Sequence, residues 1–147
     1  MGGRLLITGV DADGRSCAVR DEQVTQQGHA AMPGVLYSVL YGTTSSPSIP
    51  GGGRTADALE LGVATGAMNW MLIDYAPGLT LSMHHTDTVD LDTVLAGSVE
   101  LILDDGAHPL APGDVVVVAG VDHGWRAGPD GCRLGVVAIG ASPASGQ

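Results

Sequence analysis

The chain has 147 residues, the size of one domain, and a hydrophobic fraction of 44% gives it enough apolar side chains for a core without any phenylalanine. Its formal net charge is −10, with six arginines, no lysine and 16 carboxylates. This balance excludes nucleic acid and anionic membrane as expected partners, because both require a basic patch. The missing lysine also excludes Schiff-base chemistry and a pyridoxal anchor.

The expected location is the cytoplasm. The apolar run within residues 1–8 is too short for a signal peptide, and no apolar stretch approaches the roughly 18 residues of a membrane span. Cys17 and Cys132 are the two cysteines, and we expect buried free thiols rather than a disulfide.

The first half of the chain predicts a hairpin followed by irregular structure. Strands are predicted over residues 4–10 and 16–20, joined by the Asp- and Gly-containing turn between them. The remaining elements are a polar irregular segment (21–34), a strand (35–41), a Ser-, Pro- and Gly-rich loop (43–54) and one helical turn (56–61).

The second half predicts short strands separated by turn signals. The strand-like segments are 69–75, 79–85, 92–95, 99–103, 114–118 and 133–139. Strands at this spacing, together with 23 glycines and no helix-length amphipathic pattern, indicate an all-β sandwich or barrel.

Alternation divides residues 79–86 into a polar and an apolar face. Thr80, Ser82, His84 and Thr86 share one face, whereas Leu79, Leu81, Met83 and His85 share the other. The polar face lies either in water or in a hydrated cavity; in the second case the apolar face covers a neighbouring layer or subunit. Periodicity alone favours the first interpretation.

A carboxylate and a further histidine favour the second interpretation, in which the polar face lines a functional site. Asp90 follows His84 closely, and His123 comes after a strongly apolar strand and the turn at Gly120. Two imidazoles and one carboxylate are the ligands of a facial triad for Fe(II), and they also suit Mn, Zn or Ni.

Two blocks of the sequence resemble the cupin motifs. Gly78, His84, Thr86, Asp90 and Gly97 match the spacing of the first motif, which is Gly, five residues, His-x-His, three or four residues, Glu, six residues and Gly. The second motif is matched by the Pro-Gly-Asp turn at 112–114, the valines after it, Gly120 and His123. The resemblance covers residues 68–140, about half of the chain.

The resemblance implies a fold, an assembly and a site. The fold is a double-stranded β-helix, a jelly-roll barrel, in one domain with an N-terminal strand extension (1–67), the barrel motifs (68–140) and a frayed tail (141–147). Small cupins are usually homodimers, and the apolar face of residues 79, 81 and 83 offers a reason for one here. The implied metal ligands are His84, Asp90 and His123.

The chain departs from the family pattern at three positions. Thr86 replaces the second histidine of the first motif, Asp90 replaces its glutamate, and Ala127 replaces an asparagine that often follows the last histidine. The site therefore holds one divalent metal on three ligands, or none, since some cupins use the pocket without metal. His85 stays open as an alternative ligand to His84, and Asp92 competes with Asp90.

The other candidate residues surround this centre. His85 is predicted as a proton carrier, and Trp125, two residues after His123, as a pocket wall for a small-molecule substrate. Thr86 and Ser82 are predicted to line the pocket. Trp70 and Tyr75 are assigned to packing or subunit contact, and His29 and His108 to solvent.

Three functions are compatible with these residues. The first is a metal-dependent enzyme that dehydrates, decarboxylates, cyclises or tautomerises a small oxygenated molecule in natural-product or catabolic metabolism. The second is an Fe(II) oxygenase at the same site, and the third is a non-catalytic binding module. Elemental analysis and oxygen uptake distinguish them.

Overall fold

The computed structural model describes residues 3–144, which form strands and no helix. No helix in this range could therefore cross a membrane. The strands are β1 (Arg4–Val10), β2 (Ser16–Gln23), β3 (Gln27–His29), β4 (Met32–Tyr37), β5 (Ser48–Ile49), β6 (Asp57–Ala58), β7 (Met68–Tyr75), β8 (Thr80–His85), β9 (Thr88–Leu103), β10 (Gly106–Leu110), β11 (Val115–Ala119), β12 (His123–Gly140) and β13 (Ser142–Pro143).

Nine of these strands form one curled sheet, with β9 and β12 at its centre. The order is β2-β1-β11-β9-β12-β8-β6, and β10 and β7 pair with β9 and β12 respectively. The two long strands each belong to both halves of the roll. β9, for example, pairs with β11 near its start and with β10 near its end. This is the predicted jelly-roll barrel, which the structure confirms.

The core lies inside the roll and is built from aliphatic side chains. Buried and less buried residues alternate along β9 over residues 91–94 and again over residues 99–103. The main cluster contains Leu6, Val94, Val99, Leu101, Leu103, Leu110, Val116, Val118, Val121, Trp125, Cys132, Leu134 and Val136. Cys17 and Cys132 are both free thiols, as predicted, but only Cys132 is buried, and Cys17 is partly exposed.

The N-terminal hairpin extends the sheet, but the third predicted strand does not. β1 pairs in parallel with β11, which attaches the hairpin to the roll. β4 starts and ends earlier than the predicted strand over residues 35–41, and it pairs only with β3 in a separate two-stranded sheet.

The predicted helical turn over residues 56–61 is wrong. Asp57 and Ala58 instead pair in parallel with His84 and His85 of β8, and the amide of Leu59 donates to the carbonyl of His85 at 2.7 Å. Local propensity is weak over so few residues, and a free sheet edge offers this segment hydrogen bonds that one helical turn would leave unmade.

The predicted frayed tail is ordered over its first part. Ala141 is buried, and Ser142 and Pro143 pair in parallel with Ser48 and Ile49. The loop predicted over residues 43–54 therefore contains a short strand, and its Ile49 packs in a small buried cluster with Val89. The rest of the predicted tail, residues 145–147, lies outside the described residues.

Candidate active site

An extra residue in β8 decides which side chains face the barrel interior. His84 pairs with His123, and Leu81 pairs with Trp125, so three steps along β8 correspond to two along β12. A β-bulge of this kind shifts the alternation by one residue. Leu81 therefore packs against the core, and the continuous apolar face predicted for residues 79, 81 and 83 does not form.

The two histidines meet across the β8–β12 pair. Their ring centroids are 4.4 Å apart, with the ring planes inclined at 55°. The Nδ1 of His84 lies 2.8 Å from the carbonyl oxygen of Ser82, and the Nδ1 of His123 lies 2.8 Å from that of Val121. Since a carbonyl can only accept, both Nδ1 atoms carry the proton when the rings are neutral, and each Nε2 keeps its lone pair.

His123 is the more deeply buried of the two. Burial lowers the pKa of His123 to about 4, and the nearby ring of His84 acts in the same direction. His123 is therefore neutral near pH 7, with an Nε2 that can accept a proton or bind a cation.

Two carboxyl groups from β9 share the interior with the histidines. The Thr88 hydroxyl donates to Asp90 at 2.7 Å, so the Thr86 hydroxyl, 2.7 Å from that of Thr88, completes a short chain. Burial raises the pKa of Asp90, while the bond from Thr88 and the proximity of His84 oppose that change. Asp92, two residues further on, is buried, and burial raises its pKa well above the usual range.

These groups line one small cavity of about 230 Å³. Its wall is mostly apolar, with the polar groups concentrated around the histidine pair. The lining residues are Leu59, Leu61, Met71, Ile73, Tyr75, Leu81, His84, Thr86, Asp90, Asp92, His123, Trp125, Leu134 and Val136. The volume lies below the roughly 300–1,000 Å³ of pockets for drug-sized ligands, so it suits a small molecule.

Most of the site residues predicted from the sequence come together here. His84, Asp90, His123, Thr86 and Trp125 all line the cavity, and the Trp125 ring stands edge-on to His123 at 6.0 Å.

His85 and Ser82 are placed elsewhere. The Nδ1 of His85 lies 3.3 Å from Asp122 Oδ1, outside the set of lining residues, so the structure does not bring it to the cavity as the predicted proton carrier. Ser82 is exposed and reaches the site only through its backbone carbonyl, because the bulge turns its side chain away from the predicted pocket. Asp122 also accepts hydrogen bonds from the amides of Thr55 and Ala56.

Tyr75, Leu59 and Leu61 are cavity residues that sequence reasoning missed. Tyr75 was assigned to packing, but it lies 6.2 Å from Trp125 and next to Asp92, and burial together with that carboxyl raises the pKa of its phenol. Alternation of β7 placed Tyr75 with Met71 and Ile73, which was an available signal. No pattern in the sequence linked residues 59 and 61 to the motif strands.

The donor set fits a divalent first-row metal in part. Two neutral imidazoles whose Nδ1 atoms are fixed by carbonyls have the arrangement that metal-binding histidines usually show. However, no three His, Cys, Asp or Glu side chains within residues 3–144 are grouped closely enough to hold an ion. The pair His84 and His123 would hold the metal, and the third ligand position of Asp90 stays a prediction.

Comparison with known proteins gives sequence relatives over much of the chain. No family model matches. The cupin-domain-containing oxidoreductase srdB of Neurospora crassa is 33% identical over 129 residues, 82% of this chain and 63% of that protein. The phomopsin biosynthesis cluster protein C' of Diaporthe leptostromiformis is 33% identical over 93 residues, 63% of this chain and 41% of that protein. The chain thus spans less than two thirds of either relative.

A solved structure of a cupin superfamily protein from Desulfitobacterium hafniense covers 54% of this chain and 84% of its own, with 19% identity and a TM-score of 0.43. The jelly-roll fold and the histidines that two sequence motifs bring to one cavity define a cupin-type domain, and the sequence relatives agree. The chain belongs to the cupin superfamily.

Proposed function

We propose that this chain is an enzyme that moves a proton on a small oxygenated organic molecule, in a lyase or isomerase reaction. The observation that carries the proposal is the pair of imidazoles 4.4 Å apart on the wall of a small apolar cavity. A neutral imidazole in such surroundings is a usual general base, and a nearby protonatable carboxyl is a usual acid.

The residues have separable roles in this chemistry. The Nε2 of His84, the less buried of the two rings, takes a proton from the carbon next to a carbonyl, which leaves an enol or enolate. The same imidazole or the Asp90 carboxyl returns a proton at a different atom, so the net reaction is tautomerisation; where the substrate has a β-hydroxyl, the acid protonates it instead, and its loss as water gives dehydration. The neutral His123 accepts a hydrogen bond from the substrate at its Nε2. Thr88 orients Asp90 through its 2.7 Å hydrogen bond, and Trp125 supplies a flat wall beside the ring of His123.

A metal held by His84 and His123 would use the lone pairs of both Nε2 atoms, so a carboxyl group of the cavity would then move the proton. A divalent Fe, Mn, Zn or Ni ion would polarise a carbonyl oxygen and lower the energy of the enolate. Both the three-ligand site and the identity of the ion belong to this proposal.

An oxidoreductase is the second candidate function. It is favoured by the relative named a cupin-domain-containing oxidoreductase, which aligns over 82% of this chain. The relative from the phomopsin cluster supports natural-product metabolism as the setting for either activity.

The test is proton exchange on a neutral ketone that fits a small apolar cavity. The purified protein, without added metal and then with Zn, Mn, Ni or Fe(II), is incubated with 2-indanone in D₂O. Loss of the proton signals next to the carbonyl is followed by NMR. We expect catalysed exchange, reduced about a hundredfold or more in His84→Gln and His123→Gln, as is typical for removal of a general base.

His108→Gln is the matched control, because His108 pairs with Asp105 in the β9–β10 hairpin away from the cavity. Elemental analysis of the same proteins reports whether a stoichiometric metal is lost with either cavity histidine. Oxygen uptake with Fe(II) would instead support the oxidoreductase. Binding of 2-indanone without exchange under every metal condition would overturn the proposal and indicate a binding module.

A further inference from the structure

The carboxyl group of Asp92 lies in the cavity wall with an incomplete set of hydrogen bonds within residues 3–144. Its Oδ1 atom is buried and has no hydrogen-bond partner among residues 3–144, whereas the neighbouring Asp90 accepts from Thr88. The residue as a whole is 4% exposed. A buried polar atom without a partner typically costs about 1–3 kcal/mol, so its presence in a core of valines calls for an explanation.

The position of Asp92 links it to a ligand. It lines the cavity near Tyr75, and Val116 of β11 and Val136 of β12 flank it on the neighbouring strands. A molecule that enters the cavity can supply the hydrogen bond that the protein leaves unmade.

Charge limits the chemistry of that molecule. A carboxylate ligand would lose its hydration in apolar surroundings, beside the two carboxyl groups of Asp90 and Asp92. An ammonium group would lose its hydration in a mostly apolar cavity. A hydroxyl group can both donate and accept, so it satisfies Asp92 in either protonation state of the carboxyl.

We infer that Asp92 anchors a hydroxyl group of the substrate, so that the cavity selects neutral alcohols, enols or phenols over the hydrocarbon, amine and carboxylate of the same shape. This inference rests on the proposed function, since it specifies the substrate of the same cavity. An enol formed by proton transfer carries such a hydroxyl.

The test compares four ligands that share one carbon skeleton: 2-indanol, indane, 2-aminoindane and indane-2-carboxylate. Binding to the metal-free protein, prepared with EDTA, is measured by ligand-detected NMR. We expect 2-indanol to bind at least tenfold more tightly than each of the other three.

Two variants of Asp92 and one control test whether this side chain causes the preference for 2-indanol. Asp92→Leu should keep or increase the free energy of unfolding and reduce the preference for 2-indanol over indane to less than threefold. Asp92→Asn retains a donor and an acceptor and should keep most of the preference. Glu100→Gln, which removes a carboxylate from the exposed side of the same strand, should leave it unchanged.

Equal affinities for 2-indanol and indane in the natural sequence would overturn the inference, as would an unchanged preference in Asp92→Leu. Tightest binding of 2-aminoindane would also overturn it and assign the carboxyl pair to a cation. These outcomes are independent of catalysis. If the preference for 2-indanol depends on Asp92 but 2-indanone is not exchanged, the role of Asp92 is supported and the proposed enzymatic function is refuted. If 2-indanone is exchanged without that preference, the enzymatic function is supported and the role of Asp92 is refuted.

Discussion

The imidazole of His123 is buried, and no carboxylate within residues 3–144 is in hydrogen-bond contact with it, which has a thermodynamic consequence. Its Nδ1 proton is used by the carbonyl of Val121, and its ring lies between those of His84 and Trp125. Adding a second proton would place a charge in the barrel interior. The folded state therefore resists protonation that the unfolded chain accepts freely.

The free energy of unfolding is expected to decrease at acidic pH because of His123. Between the usual pKa of 6.5 and the folded value of about 4, the unfolded chain binds a proton that the folded chain does not. The contribution is complete above pH 6.5 and is lost as the pH falls through this window, at most about 3 kcal/mol. Urea unfolding with EDTA at pH 7 and pH 4 measures it.

His123→Gln is the comparison for this measurement. The variant should lose up to about 3 kcal/mol less than the natural sequence over the same pH interval, because its side chain does not titrate. Equal losses in both proteins would show that burial of His123 does not carry the acid sensitivity.

At the scale of elements, two glycines allow β9 and β12 to bend together. Gly97 in β9 has a φ of 73°, and a Cβ there would lie 2.0 Å from the carbonyl oxygen of Gly131. The backbones approach so closely that no side chain fits. This bend turns one long strand into a member of both halves of the roll and positions Asp90 and Asp92 on one side of it.

Gly97→Ala should destabilise the fold severely. The substitution combines a left-handed backbone with a clash against main-chain atoms, and we expect a loss of about 3 kcal/mol or more in the free energy of unfolding. Gly78→Ala is the control, since Gly78 has a φ of 70° but open space within 4 Å, and it should cost only about 1 kcal/mol. Similar losses for the two variants would contradict the close-approach argument.

The segment between β5 and β7 closes the cavity through contacts that are not local in sequence. Asp122, next to His123, accepts from the amides of Thr55 and Ala56, and β6 pairs with β8. These bonds bring Leu59 and Leu61 to the cavity wall. The wall of the site is therefore made partly by residues outside both motifs.

On the whole molecule, the outward side of β7 presents an apolar strip. Met68, Trp70 and Leu72 are 60%, 83% and 66% exposed, and β7 pairs on one side only within the described residues. An edge strand with apolar side chains tends to pair with another strand. Two copies of β7 can satisfy each other in antiparallel orientation, and the strip carries no charge on a chain with a net charge of −10.

We propose that the predicted homodimer forms through this strip rather than through residues 79, 81 and 83. Sedimentation velocity should give a dimer for the natural sequence and a monomer for Trp70→Asp combined with Leu72→Asp. Leu36→Asp, a change at an exposed leucine of the separate β3–β4 sheet, should leave the dimer intact. A monomeric natural sequence, or a dimer that persists in the double variant, would refute this arrangement.

The fold could be predicted because its signals are local. Strand-length apolar runs, glycine turns and the spacing of His84 and His123 indicated the barrel and the shared centre, and β1 has the predicted bounds. The helical turn over residues 56–61 failed, because this short segment takes the structure that a distant strand edge offers it, and the strand over 35–41 lies earlier in the chain because it pairs with β3 in a local hairpin.

The sequence by itself determined the all-β class, since alternation and turn residues act over a few neighbouring positions, and its two motifs indicated the roll and the chemical types gathered in its interior. Only the tertiary structure decided which side chains reach the cavity. A single extra residue in β8 turns Leu81 inward and Ser82 outward, and the pairing of distant strands adds Tyr75, Leu59 and Leu61. Register is a property of two strands together, so no periodicity within one of them can reveal it.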